Sequence, residues 1–121
     1  MLTGKRILVV EDEPLVAMLV ETMLQDLGCE VIGPAYSLDE GQRLAGGEEL
    51  DAAILDVNLN GEMSDPIAAV LESRGVPFAL ATGYGGSAPQ AAGQAVPVLN
   101  KPFRAETLES MLSQLLGNGA A

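Results

Sequence analysis

Five polar residues, each set just after or at the end of an apolar run, could together carry a phosphoryl transfer. Glu11 and Asp12 follow Ile7-Leu8-Val9-Val10, Asp56 follows Ala53-Ile54-Leu55, and Thr82 and Lys101 close two later runs. If those runs are neighbouring parallel strands, their carboxyl ends line one edge of a sheet, the edge at which open α/β folds bind ligands. The crevice there would hold carboxylates for a divalent cation, a separate carboxylate nucleophile, a hydroxyl donor and a mobile positive charge. Phosphoryl transfer calls for such a set, because positioning and charge neutralisation supply most of its catalysis.

Alternating elements must do the positioning. Strand-like runs recur at 6–10, 29–32, 52–55, 77–81 and 96–99. After the first, Val16, Leu19, Val20, Met23, Leu24 and Leu27 trace the stripe of a helix packed on a sheet, with Pro14 in its first turn and Gly28 just past its end. Ser37 with Glu40 three residues later is a capping-box pattern, opening a short helix that stops at Gly46-Gly47. A third helix is expected over 66–74 with Ile67, Val70 and Leu71 inward. A last one carries Leu108, Met111, Leu112, Leu115 and Leu116 and frays into Gly117-Asn118-Gly119. Residues 83–93, rich in glycine and interrupted by Pro89, read as a loop with at best a short helix.

Strands alternating with helices imply right-handed crossovers and a parallel sheet covered on both faces. The expected fold is α/β, a flavodoxin-like doubly wound five-stranded parallel sheet of order 2-1-3-4-5 with about five helices. One domain spanning 1–121 is expected, with its core at about 5–116 and a flexible tail at 117–121.

Composition narrows the chemistry. Seventeen acids against six bases give a net charge of −11, which repels phosphate backbones and anionic lipid, so neither nucleic acid nor a membrane surface is an expected partner. The apolar stretches fall well short of the ~20 residues of a membrane span, and the first residues lack a signal-peptide pattern; a cytoplasmic location is expected. The absence of histidine excludes imidazole-based zinc sites, Ser-His and Cys-His nucleophile pairs and a phosphohistidine carrier. A single cysteine, Cys29, excludes an internal disulfide and is expected to be a small buried hydrophobe.

The segments Val9-Val10-Glu11-Asp12-Glu13, Leu55-Asp56-Val57-Asn58, Ala81-Thr82-Gly83 and Asn100-Lys101-Pro102-Phe103, in this order and spacing, resemble the receiver domain of two-component response regulators over almost the whole chain. The stretch Pro77-Phe78-Ala79-Leu80-Ala81-Thr82-Gly83-Tyr84 is further similar to the signature of FAT GUY receivers, which are often stand-alone domains. The resemblance implies that Asp56 is the phosphoacceptor and that Mg²⁺ is the cofactor, held by Asp12 directly, by Glu11 through a water, by Asp56 and by the backbone carbonyl of Asn58. It also implies that Lys101 pairs with Asp56 and later with a phosphoryl oxygen, while the Thr82 hydroxyl and the Gly83 backbone N–H donate to the phosphoryl group. In such domains the Lys101-Pro102 bond is cis. The implied activity is acceptance of a phosphoryl group from a sensor histidine kinase or a histidine phosphotransfer protein, followed by altered binding to a downstream protein. Self-catalysed acceptance and slow hydrolysis do not make such a domain an enzyme.

Departures from the pattern are informative. Glu11 stands where aspartate is more usual, and Val98 stands where many receivers have the Tyr or Phe that rotates inward on activation. Tyr84, the only aromatic of the 83–93 stretch, is expected to act with Thr82 as the switch instead. Asn60 and Ser64 occupy positions that often hold Pro and Gly, with Gly61 between them. The expected partner-binding face combines the helical region after Asp56, residues 83–93 and the last helix.

Three rivals remain. A phosphatase or phosphotransferase of haloacid-dehalogenase type needs a second Asp two residues after its nucleophile, where this chain has Asn58. Gly83-Tyr84-Gly85-Gly86-Ser87-Ala88 formally matches a nucleotide-binding fingerprint, but that motif belongs after a first strand. A phosphate sink or adaptor without its own output would keep the same pocket.

Overall fold

The structure, a computed structural model, describes residues 2–59, 61–82, 97–101 and 103–118. In chain order the elements are β1 (Arg6–Val10), α1 (Pro14–Asp26), β2 (Glu30–Ala35), α2 (Leu38–Gly47), β3 (Ala52–Asp56), β4 (Asn58–Leu59), β5 (Glu62–Met63), α3 (Asp65–Ser73), β6 (Phe78–Thr82), β7 (Val98–Asn100) and α4 (Ala105–Asn118). Five strands form one sheet in the order β2-β1-β3-β6-β7, all in parallel pairs. Numbered along that sheet alone, this is the expected 2-1-3-4-5. Four helices lie among the described residues, and the short one expected within 83–93 falls outside them.

The strands are apolar on both sides because helices cover both faces. Leu8, Val10, Ala53 and Leu55 point to one face and pack with Leu59, Ile67 and Leu71. Their alternates Ile7, Val9, Ala52 and Ile54 point to the other and pack with Leu24, Leu108 and Leu112. A fully buried leucine in either layer contributes about 1.5–3 kcal/mol. On the first layer α2 and α3 approach closely: a Cβ on Gly41 would sit 2.5 Å from Ile67 Cδ1 and 3.3 Å from Val10 Cγ1. Ile67 is itself fully buried.

The expected stripe of α1 is corrected at one position. Ala17, Val20 and Leu24 are buried, with Val16, Met23 and Leu27 packed beside them, whereas Leu19 is 58% exposed. The small Ala17 carries the buried arc past Leu24 on the side away from Leu19, which is turned out together with Leu15 and Met18. At the end of α1, Gly28 and Cys29 donate their N–H groups back to Gln25 and Leu24, and burial holds the Cys29 thiol above its ordinary pKa.

Helix α2 opens as its capping box predicts: Ser37 Oγ accepts from the Glu40 N–H at 3.2 Å. The return bond lands one residue early, the Tyr36 N–H donating to Glu40 Oε1. Strand β2 begins one residue later than the sequence predicts and runs on to Ala35 through a cis Gly33-Pro34 bond, with a register irregularity opposite Leu8 to Val10. Strand β7 begins at Val98, and Val96 lies outside the described residues. No helix among the described residues is long and apolar enough to cross a membrane.

At the amino end of the sheet, Arg6 ties three segments together. Its guanidinium donates to Glu30 Oε2 at 2.8 Å, Glu48 Oε1 at 3.1 Å and the Glu49 carbonyl at 2.7 Å, while its backbone N–H donates to Asp51 Oδ2. Arg74 does similar work at the end of α2, donating to the Ala45 and Glu48 carbonyls.

Candidate functional site

The site residues sit at or just beyond the ends of strands, with backbone bonds across the sheet's carboxyl edge holding the main chain there. The Glu11 N–H donates to the Ala35 carbonyl at 2.9 Å, so the extension of β2 past Pro34 fixes the first acid. Asp56 ends β3 opposite Ala81, and the next residue, Val57, donates its N–H to the Ala81 carbonyl at 3.0 Å. Lys101 donates its N–H to the Thr82 carbonyl at 2.8 Å, which joins those two site residues through the main chain.

The side chains converge. Glu11, Asp12 and Asp56 each offer a carboxylate oxygen within 4.8 Å of the others. Lys101 Nζ lies 2.9 Å from Glu11 Oε1 and 3.3 Å from Asp56 Oδ2. Glu11, Asp56 and Thr82 are buried, and Asp12 and Lys101 are partly open to solvent. Glu11 is thereby fastened on two sides, since its other carboxylate oxygen accepts from the Glu13 N–H at 3.1 Å.

Three carboxylates around one ammonium are poorly matched in a buried crevice. Burial and the neighbouring Glu11 charge raise the Asp56 pKa from 3.8 to about 7 against the opposing pull of Lys101, and hydrogen bonds with Asp12 and Glu11 add to the rise. Burial draws the Lys101 pKa down, but its bonds to Glu11 and the two nearby carboxylates outweigh that and raise it, so it stays charged. The surplus of negative charge, all on hard oxygens, is what a hard divalent cation would relieve, and the donor set therefore fits Mg²⁺.

A family model for the response regulator receiver domain matches residues 7–113. The chain belongs to that family. It is 32% identical over 118 residues to the phyllosphere-induced regulator PhyR of Methylorubrum extorquens, a match covering 91% of this chain and 43% of PhyR, so this receiver spans less than half the length of that relative. Among solved structures it is similar to SdrG of Sphingomonas melonis Fr1, at 38% identity and TM-score 0.83, with 96% of this chain and 99% of SdrG covered. It is also similar to the receiver domain of the sensor histidine kinase PA1611 from Pseudomonas aeruginosa, at 25% identity and TM-score 0.81, with 95% and 99% covered; that domain holds a magnesium ion in its active-site cleft.

Of the residues expected at this receiver's site, Glu11, Asp12, Asp56, Thr82 and Lys101 meet at one edge of the sheet, and the Asn58 backbone follows two residues after Asp56. Gly83, Tyr84 and Pro102, and with Pro102 the Lys101-Pro102 bond, lie outside the described residues. Val98, in the place of the usual aromatic, is 39% exposed on the edge strand β7. The sequence reading missed the antiparallel hairpin of β4 and β5, in which Asn58 pairs with Met63 and Leu59 with Glu62. The Asn60-Gly61 dipeptide was the available signal, since Asn-Gly between short extended runs favours a two-residue turn.

Proposed function

We propose that this chain is a stand-alone receiver of the FAT GUY type, which takes a phosphoryl group onto Asp56 from the phosphohistidine of a sensor histidine kinase or histidine phosphotransfer protein. The observation that carries this reading is the convergence at a single edge of three carboxylates within 4.8 Å and an ammonium 3.3 Å from Asp56. In the transfer, an Asp56 oxygen forms a bond to phosphorus as the N–P bond breaks, and the departing imidazole keeps the electron pair. Lys101 is placed to balance charge on a phosphoryl oxygen, and Thr82 to donate its hydroxyl to another. Glu11, Asp12, Asp56 and the Asn58 carbonyl would hold Mg²⁺, which when bound offsets the repulsion between carboxylate and phosphate.

The stand-alone reading is supported by SdrG, whose chain is covered at 99%, and SdrG has a BeF₃-activated conformation similar to this chain at TM-score 0.78. The donor's approach is supported by Leu15, Met18 and Leu19, which leave an exposed apolar face on α1 directly after Glu11 and Asp12. Output is then altered affinity for a downstream protein, with Thr82 and Tyr84 as the switch, or removal of phosphate from the kinase. Acetyl phosphate with Mg²⁺, followed by intact mass, should add one phosphoryl group to the wild type and none to Asp56→Asn. A phosphorylated kinase domain serves as the second donor, and an unmodified wild type with both donors would sink the reading.

A further inference from the structure

We infer that the β4–β5 hairpin is a positioning device for the divalent cation, with Leu59 and Gly61 fixing the register that turns the Asn58 carbonyl toward Glu11 and Asp12. The inference rests on the receiver reading above and adds two residues to it, neither of which offers a ligand side chain.

The backbone bonds define where each carbonyl points. The Val57 carbonyl accepts from the Ser64 N–H at 3.1 Å, and the Val57 N–H donates to Ala81 of β6, so both backbone groups of Val57 are engaged, one of them on the β6 side of β3. In an antiparallel pair, residues alternate between exchanging backbone bonds and turning those groups outward. With Val57 bonded to Ser64, and Leu59 paired with Glu62, Asn58 is the intervening position. Its carbonyl points away from Met63. It is turned out of the hairpin's own ladder, two residues beyond Asp56 and at the carboxyl edge of the sheet, where β1 leads into Glu11 and Asp12.

Two features hold this register. Val57 and Leu59, alternating with Asn58, are both buried in the layer formed with α2 and α3, and Leu59 is 1% exposed. A slip of one residue would bring Asn58 into that layer and Leu59 out of it. Gly61 turns the chain at φ +89°, a backbone conformation that a β-branched residue adopts only under strain and that asparagine tolerates. A Cβ at Gly61 meets nothing within 4 Å, so substitution there acts on backbone geometry and not through a clash.

The test compares the wild type with Gly61→Val and Gly61→Asn by titrating Mg²⁺ into the full chain. Amide NMR shifts give the Mg²⁺ Kd, and thermal melting without metal gives stability. Gly61→Val should raise the Kd at least ~10-fold, the range seen when groups that orient metal ligands are lost, while Gly61→Asn stays within about twofold of wild type. The wild-type protein also carries a direct readout that needs no variant: the ¹³C carbonyl resonance of Asn58 should move with Mg²⁺ along the same binding curve. A still Asn58 carbonyl, or an unchanged Kd in folded Gly61→Val, overturns the inference alone. A wild type with no Mg²⁺ response anywhere overturns the receiver reading, and the inference with it.

Discussion

The two ends of the sheet each set one cation among several carboxylates, with opposite results. At the amino end, the Arg6 guanidinium pairs with Glu30 and Glu48, whose side chains are 58% and 43% exposed, while Asp51 accepts from the Arg6 backbone N–H. At the carboxyl end, Lys101 faces Glu11 and Asp56 with Asp12 beside them, and the Glu11 and Asp56 side chains are only 5% and 8% exposed. The difference is solvation. An excess of carboxylate over cation costs little in contact with water and becomes a costly surplus of charge when water is withdrawn.

The widest gap between the two ends should come from removing each cation. Lys101→Ala leaves two buried carboxylates without their partner and should cost about 3 kcal/mol in metal-free chemical denaturation. Mg²⁺ should return much of that loss, because a second cation can take the vacated role. Next in size, Asp56→Asn removes the surplus itself. It should stabilise the metal-free protein at neutral pH by about 1–3 kcal/mol, after allowance for screening by solvent.

Acidity offers a third way to separate the ends. The folded-state pKa of Asp56, about 7, lies above its ordinary 3.8, so between those values the folded chain holds a proton that the unfolded chain has released. Metal-free stability should therefore fall as pH rises through that window, and the wild type minus Asp56→Asn difference should isolate the slope. A difference that grew with pH in the wild type's favour would contradict the burial argument. The smallest effect belongs to the amino end: Arg6→Ala should cost about 1 kcal/mol, be weakened by salt and be indifferent to Mg²⁺, while phosphorylation of Asp56 stays intact.

The sheet order and the edge on which the site lies were legible because they follow from local pattern. Strand-length apolar runs ending in Glu11, Asp56, Thr82 and Lys101 leave few topologies open. The devices that aim those residues were harder to read. Ala35 holds Glu11 only because β2 continues beyond a cis Gly33-Pro34 bond, and a Gly-Pro pair reads from sequence as a strand's end. The β4–β5 hairpin is two residues a side, too short for periodicity to register. Large residues alone suggest a stripe that includes Leu19, whereas the small, buried Ala17 shifts the buried arc away from it. In each case a backbone bond or a small residue carried the information, and side-chain hydropathy did not.

The meeting of α2 and α3 at Gly41 has a mechanical consequence. With Ile67 lodged where a side chain at 41 would otherwise stand, the two helices pack directly on each other at that point. A side chain at 41 would have to push the Ile67 Cδ1 methyl aside, so that pair sets how near the two helices can lie. Across the sheet the Lys101 N–H is bonded straight to the Thr82 carbonyl beside the border strand β7, so a displacement of either residue is handed to the other through the main chain.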